Sequence, residues 1–155
     1  MKTRRLFFIY ILLLTATVTV AAKKKALWPD GSEMSPWFTD TASVDMNQLG
    51  RRYVVTDYGV TTDSTLVQTR ALQAVIDRCA HEGGGVVVIP RGTFLSGSLY
   101  FRQGTHLLIE RDGRLKGSDR IEDFDIRTTR IEGETCAYYA ALINADGLDG
   151  FVISG

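Results

Sequence analysis

The hydrophobic pattern changes period once along the chain, and that change divides it. Tyr53–Asp57 (YVVTD) is a short apolar run ended by Tyr58-Gly59, which reads as a strand. Leu72, Val75, Ile76 and Cys79 then recur at helical spacing, with Leu66 or Val67 one or two turns earlier. Thr65 with Gln68 three residues on is a capping-box pattern for the start of that helix. Asp63 stands ready to help cap it. Gly83 closes it, and His81 in the last turn suits the helix dipole, a structural role. Beyond Gly83 the helical period is gone. Gly85–Pro90 (GVVVIP) is a continuous apolar run between Gly and Pro, so a buried strand.

Short strands follow at Thr93–Ser96, Ser98–Phe101, His106–Glu110 and Arg114–Lys116, and later at Ala140–Ala145 and Gly150–Ser154. Glycines 92, 97, 104, 113 and 117 separate the earlier ones. Val88 and Leu108 are 20 residues apart, and so are Leu95 and Leu115. A repeat of that size with glycine corners fits a β-solenoid, in which each coil buries its inward side chains only by stacking on the next. A sandwich of hairpins is the alternative. A doubly wound sheet is disfavoured, because the helix precedes the strands instead of alternating with them. Residues 118–139 (SDRIEDFDIRTTRIEGETCAYY) are polar and read as a long irregular loop, a functional or flexible segment.

The N-terminus adds a compartment. Lys2, Arg4 and Arg5 form a basic stretch, Leu6 to Val20 is apolar and uncharged, and Val20-Ala21-Ala22 offers small residues for cleavage. Residues 1–22 are therefore expected to be a secretory signal peptide, with the mature protein secreted or periplasmic and without a stable membrane span. Residues 23–52 form a leader with Trp28, Pro29, Gly31, Pro36 and Trp37, too rich in Pro and Gly for a regular element. Its tryptophans read as anchors to the domain in preference to sugar platforms. The domain proper is 53–155.

Removing residues 1–22 takes away three of the 18 basic residues and no acidic one, which leaves 15 against 18 and a net charge of −3. That balance argues against a nucleic-acid partner. An anionic substrate must then be held by a local cluster of cations. Arg127 and Arg130 in the long loop are the candidate substrate-binding residues, since a guanidinium fork matches a carboxylate. Ion pairing with Glu132 and Glu134 in the same loop is the plainer alternative.

Other chemistry is thin. Gly83-Gly84-Gly85 is no phosphate loop, because a strand follows the glycines where a helix N-terminus is needed. Cys79 lies on the apolar helix face and reads as a small hydrophobe in preference to a partner for Cys136. The two cysteines show no metal spacing, and no cofactor is expected. His106, at a strand start, reads as structural. Glycoside hydrolysis needs two carboxyl groups at a set separation. The candidates Asp57, Asp63, Glu110, Asp112, Asp119, Glu122, Asp123, Asp125, Glu132 and Glu134 include no paired motif within or beside a strand. Asp112 before Gly113 is a turn residue. No catalytic residue is assigned.

Four segments and a closing coil resemble the N-terminal region of the polygalacturonases, glycoside hydrolase family 28, within the pectate-lyase-like β-helix superfamily. Asp57-Tyr58-Gly59 resembles the opening D-[FY]-G-A. Thr69 to Cys79 (TRALQAVIDRC) resembles the capping helix T-x-A-I-Q-x-A-I-D-x-C. Gly83–Phe101 resembles GGG-x-V-x-x-P-x-G-x-[FY]-x-x-G. His106–Ser118 resembles L-x-[IL]-E-x-G-A-x-L-x-G-S. Tyr139–Gly155 resembles LI-x-A-x-G-x-x-N-[IV]-x-I-x-G, after a Gly133-Glu134 loop. The usual G-D-G-x-x-D before the helix is replaced here, with only Asp63 in common.

The resemblance implies an all-β fold, a right-handed parallel β-helix with an N-terminal capping α-helix. It implies a monomeric hydrolase that acts on a polysaccharide (pectin, galacturonan or rhamnogalacturonan) by inverting hydrolysis. The family's N-T-D, D-D, G-H-G and R-I-K segments do not occur in these 155 residues. The expectation is therefore an inactive N-terminal piece of a longer enzyme, with an open coil at Gly155. A calcium-dependent pectate-lyase-like enzyme and a non-catalytic β-helix adhesin or carbohydrate binder are the alternatives.

Overall fold

The computed structural model of the chain describes residues 25–155. The signal peptide expected over residues 1–22 lies outside them. The described chain divides into two units at Ala42/Ser43. The first is a short turn closed by an antiparallel bridge between Leu27 and Glu33, in which Phe38 packs on both Trp28 and Trp37. The second carries the coils.

Ten strands and one helix build the second unit: β1 Arg52–Val54, α1 Thr69–His81, β2 Gly85–Ile89, β3 Gly92–Ser96, β4 Leu99–Tyr100, β5 Thr105–Ile109, β6 Gly113–Gly117, β7 Ile126–Ile131, β8 Glu134–Tyr139, β9 Ile143–Asn144 and β10 Ile153–Ser154. Three parallel ladders run through it, in the orders β1-β2-β5-β10, β3-β6 and β4-β9. From β2 to β6 consecutive strands lie in different ladders, and β2 with β5 and β3 with β6 pair about one repeat apart, while the helix and the 118–142 segment lengthen the other intervals. This is the stacking that the repeat predicts, and hairpin pairing is confined to β7 with β8.

The register follows the sequence at one ladder and slips at another. Val88 pairs with Leu108, as their spacing of 20 requires. Leu95, however, pairs with Lys116, and it is Phe94 that pairs with Leu115. The expected Leu95–Leu115 match is off by one. The cause is a longer corner: Pro90-Arg91 joins β2 to β3, whereas Glu110-Arg111-Asp112 joins β5 to β6. The extra residue is absorbed at Asp112, whose φ is +63°. A slip of one residue exchanges the faces of a strand. It places Phe94 and Leu115 inward, in the main core.

Inward side chains stack in columns. Tyr53, Val87 and Leu107 occupy matching positions on β1, β2 and β5, and all three are buried. Ile153 on β10 continues the column and is half exposed. The helix buries Leu72, Val75, Ile76 and Cys79 against the same core. The outer face of β2 is closed as well. Val86 and Val88 pack with Met46, with Leu49, Val54, Leu108 and Val152 at the margin.

The helix begins later than its sequence pattern suggests. Gln68 is its N-cap but makes no side-chain cap, so the Thr65/Gln68 capping box is not formed. The Gln68 carboxamide instead turns back on Thr61, accepting from its N–H at 2.8 Å and donating to its carbonyl at 2.7 Å. Leu66 and Val67 lie outside the helix. Asp63 caps a local turn by accepting from the Thr65 N–H and hydroxyl, not the helix. The expected strand at Tyr53–Asp57 is likewise shortened: Val55–Tyr58 winds into a 3-10 turn closed by Gly59 at φ +86°. At the other end the Gly84 N–H reaches the Cys79 carbonyl and the Gly83 N–H the Ala80 carbonyl. That is the pairing of a Schellman ending, with Gly83 at φ +102°.

The region just before and within α1 also seals strand edges. Val67 bridges Leu95, and the Gln68 N–H donates to the Leu95 carbonyl at 2.9 Å, covering β3. Thr69 Oγ1 accepts from the Gly97 N–H at 2.7 Å. Gln73 then treats β4 as a strand would. Its Oε1 accepts from the Tyr100 N–H at 2.8 Å, and its Nε2 donates to the Tyr100 carbonyl at 2.9 Å. With β1 on β2, each ladder of the first coil has part of its outer edge covered, which reduces the hazard of an open edge.

Candidate functional site

The chain leaves the coil at one corner. In the first coil β3 turns directly into β4 through Gly97-Ser98, whereas in the second coil residues 118–142 intervene between β6 and β9. The excursion crosses over Gly97 so closely that a Cβ there would land on the Asp123 carbonyl oxygen. A residue with any side chain at 97 would push the excursion away.

The segment expected to be an irregular loop is mostly an antiparallel hairpin. β7 and β8 pair from Ile126–Tyr139 at the base to Ile131–Glu134 at the tip. Glu132 and Gly133 make the two-residue turn, with φ of +51° and +92°. Positive φ at both central residues is the turn that matches strand twist. The signal was present in the sequence: β-branched Ile126, Thr128, Thr129 and Ile131 precede the Glu-Gly pair. The charges of Arg130, Glu132 and Glu134 pointed instead to ion pairing. Almost every side chain of this hairpin is exposed, so a hydrophobic pattern does not reveal it.

The base of the hairpin is fastened to the coil. Ala140 N–H donates to the Asp125 carbonyl at 2.8 Å, and Asp125 N–H to Ser98 Oγ at 3.3 Å. Ser118 N–H donates to the Ser96 carbonyl, and Ser118 Oγ to Asp123 at 2.5 Å. Tyr100 Oη donates to Asp125 Oδ2 at 2.9 Å.

The two candidate arginines are separated by the fold. They are three residues apart on one strand, so they project from opposite faces of the hairpin. Arg127, near the base, lies over the Tyr100 ring with its guanidinium carbon 4.4 Å from the centroid, and its Nε donates to Tyr100 Oη at 3.3 Å. Arg130 pairs with Thr135 near the tip. Among the described residues neither is in a salt bridge, so pairing with Glu132 and Glu134 is not formed. Beside the hairpin base is a shallow recess of about 430 Å³, lined by Ile121, Phe124, Tyr138, Tyr139 and Leu142 among others. A larger recess of about 980 Å³ lies within the first unit, where Lys25 is already paired with Glu33.

Many carboxylates of the second unit are engaged. Glu82 bonds Arg78, Arg51 and Tyr53, which together hold its carboxyl below the usual carboxylate range, the Arg78 hydrogen bond most strongly. Glu110 pairs with Arg52 and Asp77 with Arg102. Asp112 is the left-handed corner residue. His106 Nδ1 accepts from the Val152 N–H at 3.3 Å, and its partial burial lowers its pKa. Both cysteines are free. The described residues hold no cluster of three or more metal-ligating side chains, and no helix among them is long and apolar enough to cross a membrane. What the corner offers chemically is a fixed guanidinium beside exposed aromatic and aliphatic surface.

No family model matches the chain. It is 26% identical over 100 residues, 64% of its length, to an exo-poly-alpha-D-galacturonosidase of Dickeya chrysanthemi, of which those residues make up 16%. The chain thus spans about a sixth of the length of that curated relative. Among solved structures it is similar to a family 28 exopolygalacturonase of Yersinia enterocolitica, at 27% identity and a TM-score of 0.56 over 81% of this chain and 22% of that one. It also shares the fold of a hyperthermoactive exopolygalacturonase from Thermotoga maritima, with a TM-score of 0.61 over 66% of this chain and 23% of that one, at 24% identity. Strands stacked in parallel behind a single helix, and sequence likeness over most of the chain, together make it similar to part of the longer exopolygalacturonases.

Proposed function

We propose that this chain forms the first coils of a right-handed parallel β-helix glycoside hydrolase of the polygalacturonase type, acting on pectin by inverting hydrolysis of galacturonosyl linkages. The observation that carries the reading is the set of three parallel ladders closed at one end by α1, in a chain similar to exopolygalacturonases. The chain's own share is the cap of the coil and an arm that meets the substrate. Arg127 and Arg130 supply the cations for sugar carboxylates, which suits a substrate bearing one negative charge per residue.

Hydrolysis itself falls to carboxyl groups outside these residues. Inversion needs an acid and a base on opposite sides of the bond, roughly 6.5–9.5 Å apart, to admit a water. In this chain Glu82, Glu110 and Asp77 are occupied by arginines, and Asp125 by Tyr100. The chain alone is then inactive, monomeric and, through residues 1–22, exported from the cytoplasm.

Calorimetric titration with oligogalacturonates, with neutral galacto-oligosaccharides as the control, tests the assignment. The expected result is binding of the acidic sugar alone, weakened by salt, with no release of reducing ends. Equal binding of the neutral sugar, or measurable turnover, contradicts it.

A further inference from the structure

The two arginines that the sequence puts forward together are not equivalent, and the difference lies in Tyr100. Arg130 stands near the tip of the hairpin, one pair from the turn. Arg127 stands near the base, where it is held twice by one side chain: its guanidinium lies 4.4 Å over the Tyr100 ring, and its Nε donates to Tyr100 Oη at 3.3 Å. Tyr100 is itself held from three directions. Its backbone N–H and carbonyl are both taken by Gln73 of α1, its hydroxyl donates to Asp125 at 2.9 Å, and its strand β4 pairs with β9.

The consequence for Arg127 is specific. With Nε committed to the tyrosine, the end of the guanidinium that carries the two terminal nitrogens is left to form the fork. No Asp or Glu among the described residues comes within salt-bridge distance of it. Asp125 enters the network through the tyrosine hydroxyl, which donates to it and accepts from the arginine. An arginine that is charged, aimed and not neutralised is set to receive a planar anion in bidentate fashion.

We propose that Tyr100 is a positioning residue that holds Arg127 ready for a sugar carboxylate, so that recognition of the acidic group rests on the coil body and not on the hairpin tip. This rests on the reading of the hairpin as the substrate-binding arm. Arg127 is the specificity determinant of the pair, and Arg130 is secondary. Fixing a rotamer-rich side chain beforehand removes an ordering cost at binding, which corresponds to roughly threefold to tenfold in affinity.

The test has two arms on the purified chain. In the first, the Arg127 Nε–H resonance is observed by NMR without ligand. It is expected to be shifted by the tyrosine ring current and slow to exchange, and to return to free-arginine values in Tyr100→Leu. An unshifted, fast-exchanging resonance in the wild type overturns the proposal. In the second arm, oligogalacturonate is titrated into wild type, Tyr100→Phe, Tyr100→Leu, Arg127→Ala and the Tyr100→Leu/Arg127→Ala double variant. The expectation is a graded loss from Phe to Leu, with no further loss from Tyr100→Leu once Arg127 is absent. Equal losses from Tyr100→Leu in both backgrounds overturn it. A shifted resonance with no galacturonate binding refutes the pectin-binding reading while the hold of Tyr100 on Arg127 stands.

Discussion

Replacing Gln73 with alanine should unfasten the third ladder from the helix. The side chain makes two hydrogen bonds to the backbone of one strand residue, Tyr100, at 2.8 and 2.9 Å, and a third to Asp77 at 3.0 Å. Each intramolecular bond is worth about 1 kcal/mol net, and a donor or acceptor left unmet in a buried place costs about 1–3 kcal/mol. Tyr100 is only partly buried, so water can reach its orphaned groups in part. The two backbone bonds then amount to roughly 2–3 kcal/mol. Alanine's better helix propensity returns a few tenths of a kcal/mol, less than one bond. Urea denaturation followed by circular dichroism measures the loss, and amide exchange at Tyr100 localises it. With a slope of about 1–3 kcal/mol per molar for a domain of this size, the midpoint should fall by on the order of 1–2 M. Gln73→Glu separates the two bonds, because an ionised carboxylate still accepts from the Tyr100 N–H but cannot donate to its carbonyl. A loss under about 0.5 kcal/mol for Gln73→Ala, below the worth of a single bond, would refute the reasoning.

Further outcomes follow from other corners of the fold. Gly97→Ala should displace the excursion at Asp123 and loosen the hairpin base, seen as faster amide exchange at Asp125 and Ala140, while Gly147→Ala, which strains its own left-handed turn (φ +64°) but meets no atom within 4 Å, should leave those amides unchanged. Burial pushes the Cys79 thiol up to about 11, so a thiol reagent should label Cys136 alone in the native chain and Cys79 only on unfolding. His106 has its folded pKa lowered by desolvation, so the unfolded chain binds the proton more readily. Its contribution is present above the ordinary histidine pKa of about 6.5 and is lost as pH falls through the folded value. Acid titration by NMR should therefore show the Val152 amide losing protection in that window, and His106→Gln should remove the dependence.

The coils were legible because they obey a burial rule that sequence expresses directly. Apolar runs at Gly85–Ile89 and Thr105–Ile109, 20 residues apart, had to stack to hide Val87 and Leu107, and they do. Cys79 behaves as its helical position implied. What the sequence concealed has other causes. The one-residue slip between β3 and β6 depends on a left-handed Asp112, a conformation that composition does not announce. The helix start was misplaced because Gln68 prefers a partner at Thr61, which no local pattern includes. The hairpin was hidden because almost every one of its side chains is exposed, which leaves no burial pattern to read. The same feature hid the distinction between Arg127 and Arg130, which depends on Tyr100, a residue from another coil.

The pairing of the strands carries the whole account, and backbone NOEs in the isotopically labelled chain read it directly. Contacts linking Val87 to Leu107, Val88 to Leu108 and Phe94 to Leu115, in the pattern of strands running the same way, are the predicted result. Close Hα–Hα contacts between β2 and β3, or between β5 and β6, would mean that successive strands fold back on one another, and the coil with everything hung on it would be wrong.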